Sequence, residues 1–388
     1  MSETLLGQEY EENEPLGIEA EQDSSETEFQ DIERPWDPES IRVTTKTFSL
    51  RHILDLIEEN SLDIAPDFQR LQVWKIKQKA QLIESILLQI PLPAFYFSED
   101  ADGYLRVVDG LQRLSTVRDF VRGSEFDGRG FALRQLEYLV DVEGSRFTDL
   151  PAPWQRRIYN AQIVAHVIDP ATPAPVKYDI FRRINTGGTP LNAQEIRHCM
   201  SKKRSRDFLH DCVDTPQFRS ATRGALEKQR RMIDREVVLR FIAFTRMGDY
   251  ARYRELGPME TLLLRTTEEL DDPRIVSDDD LHHLYGALMQ GLVNSEIVFG
   301  EHAFRKWPTY SDTLNPFNRA LFETWTTILA GYTTDMIDRA ASEIATNARH
   351  RMSNDFQYID SISTSTGDYR RVEMRFNTAD SIVQDALR

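Results

Sequence analysis

The sequence predicts an α+β protein, with a mixed N-terminal domain over residues 41–190 followed by a mainly helical domain over 191–388. Three observations lead to that reading. The chain has 388 residues and is 40% hydrophobic, more than one core absorbs, since single cores stop growing at roughly 250–300 residues. Strand and helix signals alternate from Thr45 to Ile184. From Leu191 onward the strand signals thin out and apolar residues recur at spacings of three and four, the mark of helices with one buried face.

Each element has a local cause. Ser49 is a side-chain N-cap before Leu50, Ile53, Leu54 and Ile57, which share one helical face. Asp63 to Arg70 is expected to be extended, because Pro66 disfavours helix in the residue before it. Helix resumes near Lys75, buries Leu82, Ile83, Ile86 and Leu87, and stops at Pro91 and Pro93. Phe95-Tyr96-Phe97 and Leu105 to Val108 read as strands joined by a turn at Asp102-Gly103. Asp109-Gly110 follows at once, then a helix from Gln112 to about Arg122, closed by Gly123. A short helix near Trp154 to Tyr159, a strand over Ala161 to Ile168 and a helix over Ala174 to Ile184 complete the first domain. In the second, Val237, Val238, Phe241, Ile242, Leu321, Trp325 and Ile328 mark helical core faces, while Arg371 to Phe376 alternates as a strand does.

Charge is distributed unevenly. The formal net charge is −16, but residues 1–40 hold 14 Asp and Glu against Arg34 alone, which leaves 46 basic and 49 acidic residues in the rest of the chain. Residues 1–40 are therefore expected to form a disordered acidic tail, too poor in apolar groups to offset the entropy of ordering. Its role is solubility or, more sharply, mimicry of nucleic acid over a basic surface. Between Arg197 and Arg240 there are 12 Lys and Arg against six Asp and Glu. That segment, with Lys202, Lys203, Arg204 and Arg206, is either a solvated helical face or a contact for nucleic-acid phosphates.

Several classes are set aside. The longest apolar run, Leu82 to Pro93, is broken by Glu84, Ser85 and Gln89, well short of the roughly 20 residues of a membrane helix. The acidic N-terminus has neither the basic start nor the apolar stretch of an export signal, so a cytoplasmic location is expected. Only Cys199 and Cys212 occur, which makes no disulfide framework. No Gly-Lys pair exists in the chain, so a P-loop is absent. His282-His283, after Asp278-Asp279-Asp280, reads as a solvated helix start rather than a metal site.

The strand-to-helix turn is the most informative feature. A glycine opening a helix lets backbone N–H groups approach an anion at the positive end of the helix. Arg113 adds a charged donor, and Asp109 is placed to hold a magnesium ion or position water. Asp-Gly at such a place is also an ordinary capping turn. Arg182 and Arg183 close a helix beside Asn185-Thr186-Gly187-Gly188, and converging arginines suit phosphate oxygens, although surface ion pairing explains most arginines. Trp74 reads as core rather than as a stacking platform.

Four ordered segments resemble a known family. They are Pro66-Asp67-Phe68-Gln69-Arg70 with Trp74; Leu82 to Leu87 with Pro91 and Pro93; Val108-Asp109-Gly110-Leu111-Gln112-Arg113; and Phe181 to Gly188 with Leu191 and Glu195. Together they resemble the N-terminal domain of GmrSD-type modification-dependent restriction proteins, built around a DGQQR motif. The resemblance implies a ParB/sulfiredoxin-like fold that binds and hydrolyses a nucleoside triphosphate with Mg2+, in bacterial defence against phage or modified DNA. It makes Asp109, Gln112 and Arg113 catalytic, with Asp109 also at the metal. It places Gln69, Arg70, Gly110, Arg113, Arg183 and Asn185 around the nucleotide. The sequence departs from the motif at Leu111, which removes an amide able to orient nucleotide or water and separates binding from hydrolysis as expectations. Relatives often append an HNH nuclease domain, whose histidine spacing is missing here, so a separate nuclease or effector is the expected partner, with DNA as a second. A non-catalytic DNA-binding or scaffold module and a metal-dependent nuclease centred on Asp109 stand as alternatives.

Overall fold

Ser49 ends the first strand and starts the first helix: its hydroxyl accepts a hydrogen bond from the His52 N–H at 3.3 Å. The computed structural model describes residues 17–19, 41–64, 74–123, 128, 130–184, 191–227 and 231–388. The chain divides into two compact units, residues 34–200 and residues 201–388 together with 1–33.

In the first unit β1 (Val43–Ser49) runs into α1 (Leu50–Glu58), whose Leu50, Ile53 and Leu54 are buried as their spacing predicts. Next come β2 (Leu62–Asp63) and α2 (Ile76–Leu87). Of the stretch expected to be extended, Asp63 lies in β2, while residues 65–73 lie outside the described residues. β3 (Phe95–Glu99) and β4 (Leu105–Asp109) form the expected hairpin, its turn closed by Asp100 Oδ1 accepting from the N–H groups of Asp102 and Tyr104. α3 (Leu111–Arg122), two single 3-10 turns, α4 (Ala152–Asn160), β5 (Gln162–Ile168), α5 (Ala174–Ile184) and α6 (Ala193–Met200) complete the unit.

The five strands form one mixed sheet in the order β1-β5-β3-β4-β2. β1 pairs antiparallel with β5, from Val43 opposite Ile168 to Ser49 opposite Gln162. β5 runs parallel to β3, and β3 antiparallel to β4. One sheet face carries Phe95, Phe97, Leu105, Val107, Ile163, Ala165 and Val167 into a core with Leu50, Ile83, Leu87, Leu114 and Phe120 from the helices. Trp74 packs against this core, as expected. Arg106 points the other way, toward α6, where it meets the Met200 carbonyl and pairs with Asp100 at 2.8 Å. The strand β1 was not expected. Its sequence, VTTKTFS, has no buried face over most of its length, and its extended form comes from pairing with β5 rather than from an apolar alternation.

The second unit is helical: α7 (Lys203–Val213), α8 (Pro216–Thr222), α9 (Ile233–Met247), α10 (Tyr253–Leu256), α11 (Met259–Leu270), α12 (Asp278–Phe299), α13 (Arg319–Leu329), α14 (Thr334–Asn354), α15 (Phe356–Ser361) and α16 (Tyr369–Ala386). Val237, Val238, Phe241, Ile242, Leu321, Trp325 and Ile328 all lie in its core. The strand expected over Arg371 to Phe376 is instead part of α16, N-capped by Asp368, which accepts from the N–H groups of Arg370 and Arg371. The misreading has a cause in Arg375, a charged residue on the buried face beside Val372, Phe376 and Ala379. His282 and His283 sit exposed near the start of α12, behind Ser277 and the three aspartates of its first turn.

Residues 17–19 depart from the expectation of a disordered tail, because Ile18 bridges to Phe317 in the helical unit. The remainder of residues 1–40 lies outside the described residues. Among the described residues no helix is long and apolar enough to cross a membrane.

Candidate functional site

Where β4 ends, the sheet register slips. Phe97 stands opposite Val107 but Tyr96 stands opposite Asp109, so β4 carries one extra residue, Val108, at this step. Such a bulge re-aims the side chain that follows it. The residue it re-aims is Asp109, the last of the strand.

Gly110 then turns the chain into α3 at φ +98°, a conformation that costs other residues about 1–2 kcal/mol. A Cβ at this position would lie 2.2 Å from Cδ1 of Phe95. Glycine is therefore needed twice, for the backbone angle and for the ring. The result is a tight corner that sets the Asp109 carboxylate beside the first turn of α3, whose N–H groups have no partners within the helix.

Arg113 lies one turn into α3, and its guanidinium points back to the corner. Nη2 donates to Asp109 Oδ2 at 2.8 Å and to the Ala94 carbonyl at 3.2 Å. Nη1 donates to the Pro93 carbonyl. The guanidinium carbon lies 4.2 Å from the centre of the Phe95 ring, a cation–π arrangement. Phe95 is thus held between Gly110 and Arg113. Burial lowers the Arg113 pKa and the Asp109 carboxylate opposes the shift; the group remains charged in either case. Its side chain is 12% exposed, against 39% for Asp109. Arg113, expected to face a polyphosphate, is directed at protein acceptors. Asp109 is the charged group that faces outward.

The remaining predicted residues divide into three groups. Gln112 is half-buried on α3, and its carbonyl accepts from the Thr116 hydroxyl at 2.7 Å. Leu111 packs its side chain against the core of the mixed unit. Arg183, at the end of α5, pairs through Nε with Asp179 at 2.9 Å, and Arg182 pairs with the same carboxylate at 3.2 Å. Gln69, Arg70 and Asn185 lie outside the described residues.

The basic segment is largely taken up by structure. Arg204 donates to the Leu270 carbonyl and to Asp278, tying α7 to the end of α11 and the start of α12. Arg206 is buried, which leaves Lys202 and Lys203 as the exposed pair among the four. Arg219 pairs with Asp214, and Arg223 with Glu296.

Among the described residues no group of three or more His, Cys, Asp or Glu could hold a metal, so a Mg2+ ion at Asp109 would take further ligands from phosphate oxygens and water. That is the usual manner of Mg2+ at nucleotide sites.

Sequence reasoning missed Pro93, Ala94 and Phe95 as parts of this corner, and it missed the structural role of Glu84 elsewhere in the mixed unit. Glu84 is 3% exposed on α2 and accepts the N–H groups of Glu137, Tyr138 and Leu139, fixing the loop before α4. A glutamate among Leu82, Ile83, Ile86 and Leu87 was the available signal, since a charge on an apolar face implies a buried partner.

A family model described as GmrSD restriction endonuclease, N-terminal domain, matches residues 50–201. No curated protein and no solved structure matches the chain.

Proposed function

We propose, from the premise that residues 50–201 belong to the GmrSD restriction endonuclease N-terminal domain family, that this chain serves restriction-like defence. In this reading the mixed unit is a ParB/sulfiredoxin-like domain that binds and hydrolyses a nucleoside triphosphate with Mg2+ and signals to a separate effector. The observation that carries it is the Asp109 carboxylate, held through one oxygen by Arg113 yet 39% exposed at the mouth of α3.

The chain's own groups divide the task. First-turn N–H groups of α3 receive phosphate oxygens, aided by the helix dipole. Asp109 supplies the carboxylate for Mg2+, which neutralises phosphate charge when bound. Gln112 orients the attacking water, and Arg113 keeps Asp109 in place. Arg183, with Gln69, Arg70 and Asn185, completes the phosphate side, with Arg183 exchanging Asp179 for the ligand.

The test is nucleotide-dependent thermal stabilisation together with phosphate release, for each nucleoside triphosphate with Mg2+ and with or without DNA. A ligand at a hundred times its dissociation constant adds about 2.7 kcal/mol, and Asp109→Asn is expected to abolish that gain. Neither stabilisation nor phosphate release under any condition sinks the reading.

One observation favours a second reading, a DNA-binding or scaffold module without hydrolysis. Leu111 packs against the core, so this position of the motif contributes packing instead of an amide. Lys202 and Lys203 would then contact DNA phosphates, and binding would fall steeply with salt and ignore nucleotide.

A further inference from the structure

Phe317, just before α13, is paired on both sides of its backbone. On one side it bridges Arg305 in antiparallel sense, and on the other it bridges Ile18 in parallel sense. The Glu19 N–H donates to the Phe317 carbonyl at 2.8 Å, and the Phe317 N–H donates to the Gly17 carbonyl at 3.1 Å. Ile18 packs against the helical core. The Glu19 carboxylate accepts Lys306 Nζ on one oxygen and Asn318 Nδ2 on the other, the latter at 2.9 Å.

Asn318 is fixed independently of Glu19. Asn318 is 4% exposed. Its Oδ1 caps α13 by accepting from the Leu321 N–H at 2.8 Å, and its Nδ2 also donates to the Ile362 carbonyl at 2.7 Å. Arg305 beside it is 3% exposed and has no carboxylate partner among the described residues. Arg319, which pairs with Glu236 at 3.3 Å, lines the same small cleft as Glu19 and Asn318. Lys306 and Arg305 leave the surroundings positive, suited to a carboxylate.

Three features are read at once: extended backbone by Phe317, an apolar side chain by the core, and a carboxylate by Lys306 and Asn318. Addition of a strand with side-chain selection is a general mode of peptide recognition. We propose that this slot is a recognition site for an extended peptide in which Glu follows an apolar residue, and that the chain's own Gly17-Ile18-Glu19 is its resident occupant. Part of the acidic N-terminal stretch is therefore a ligand of the helical unit. With two backbone hydrogen bonds, one side-chain hydrogen bond from Asn318 and one ion pair, the occupant is exchangeable rather than permanent.

Hydrogen exchange on the full chain tests the slot. The Glu19 and Phe317 amides are expected to exchange at least about tenfold more slowly than open-chain amides. Glu19→Lys loses that protection, and the double variant Glu19→Lys/Lys306→Glu regains it. A labelled synthetic peptide copying residues 12–26 is expected to bind full-length Glu19→Lys at least about tenfold more tightly than the wild type, whose slot is filled. Open-chain exchange at both amides in the wild type, or equal peptide binding by the two proteins, overturns the proposal.

Discussion

Arg113 Nη2 stands 2.8 Å from Asp109 Oδ2, one helical turn back and across the corner made by Gly110. Because the same guanidinium also binds the Pro93 and Ala94 carbonyls, it ties the entry of β3, the exit of β4 and the start of α3 together. Arg113→Ala is expected to cost about 2–3 kcal/mol, the range for charged hydrogen bonds lost from a partly buried site. Arg113→Lys keeps the charge but not the planar fork, and should recover less than half of that. Asp109→Asn, by contrast, should stay within about 1 kcal/mol of the wild type and lose only Mg2+-dependent nucleotide stabilisation. Urea melts with and without nucleotide separate the two roles. An Arg113→Ala protein as stable as the wild type removes the clamp from the account.

Gly110→Ala brings two costs together. The φ of +98° strains any L side chain, and the new methyl meets the Phe95 ring, 2.2 Å from Cδ1. About 2–4 kcal/mol is expected, from left-handed strain plus overpacking. With the steric part relieved, Gly110→Ala should cost less in a Phe95→Leu background than in the wild type, each measured against its own parent. Equal costs in the two backgrounds show that the ring is not the obstacle.

How much of this corner was legible depended on how local its causes are. Gly110 and the strand and helix on either side follow from adjacent residues, so the turn was readable. The direction of Arg113 was not, because its acceptors Pro93 and Ala94 lie in the segment leading into β3, about twenty residues back in the chain, and charge alone suggested a phosphate. The bulge at Val108 likewise exists only in the pairing of β4 with β3. β1 was hidden for a similar reason: Val43 to Ser49 is extended because β5 lies beside it. In the helical unit the strand expected over Arg371 to Phe376 failed because Arg375 is buried against Glu323, and a buried arginine looks like a solvent-facing one in sequence.

Glu84 should make part of the stability acid-sensitive. Burial by itself raises its pKa, but the N–H groups of Leu139, Tyr138 and Glu137 outweigh that and hold the carboxyl below its usual range. A group depressed in the folded state contributes stability above its unfolded pKa, about 4.3 for glutamate, and loses it as pH falls through the folded value. Glu84→Gln is therefore expected to cost about 1–3 kcal/mol near neutrality, with the gap to the wild type narrowing as the pH falls below about 4. Denaturant melts at both pH values decide it, and a gap that does not change with pH counts against the three-donor account.

The helical unit has its own buried charges. Glu323 and Arg375 are both 0% exposed and paired, and Glu323 also receives Arg240 at 3.3 Å. Removing one partner of a buried pair strands the other, at a cost of about 3–5 kcal/mol. Glu323→Gln is expected to fall in that range, and Glu323→Gln/Arg375→Met to regain part of it by removing one stranded cation. Calorimetric melting of the three proteins measures this. A double variant no better than the single one shows that Arg375 is not the group left uncompensated.

Leu111 gives the sharpest test between hydrolysis and its absence. The side chain packs against the core at the first position of α3, where the family motif carries an amide. Leu111→Gln exchanges partly buried apolar contact for a polar group at the helix mouth, and should cost about 1 kcal/mol of stability. If the amide orients water, phosphate release per bound nucleotide rises in Leu111→Gln while nucleotide affinity stays level, and Leu111→Ala, which loses the packing without supplying an amide, shows no rise. A gain in both variants would instead mean that loosening α3 is what matters. Release that stays absent in the wild type and both variants, with nucleotide still bound, would place the chain among binders that do not hydrolyse.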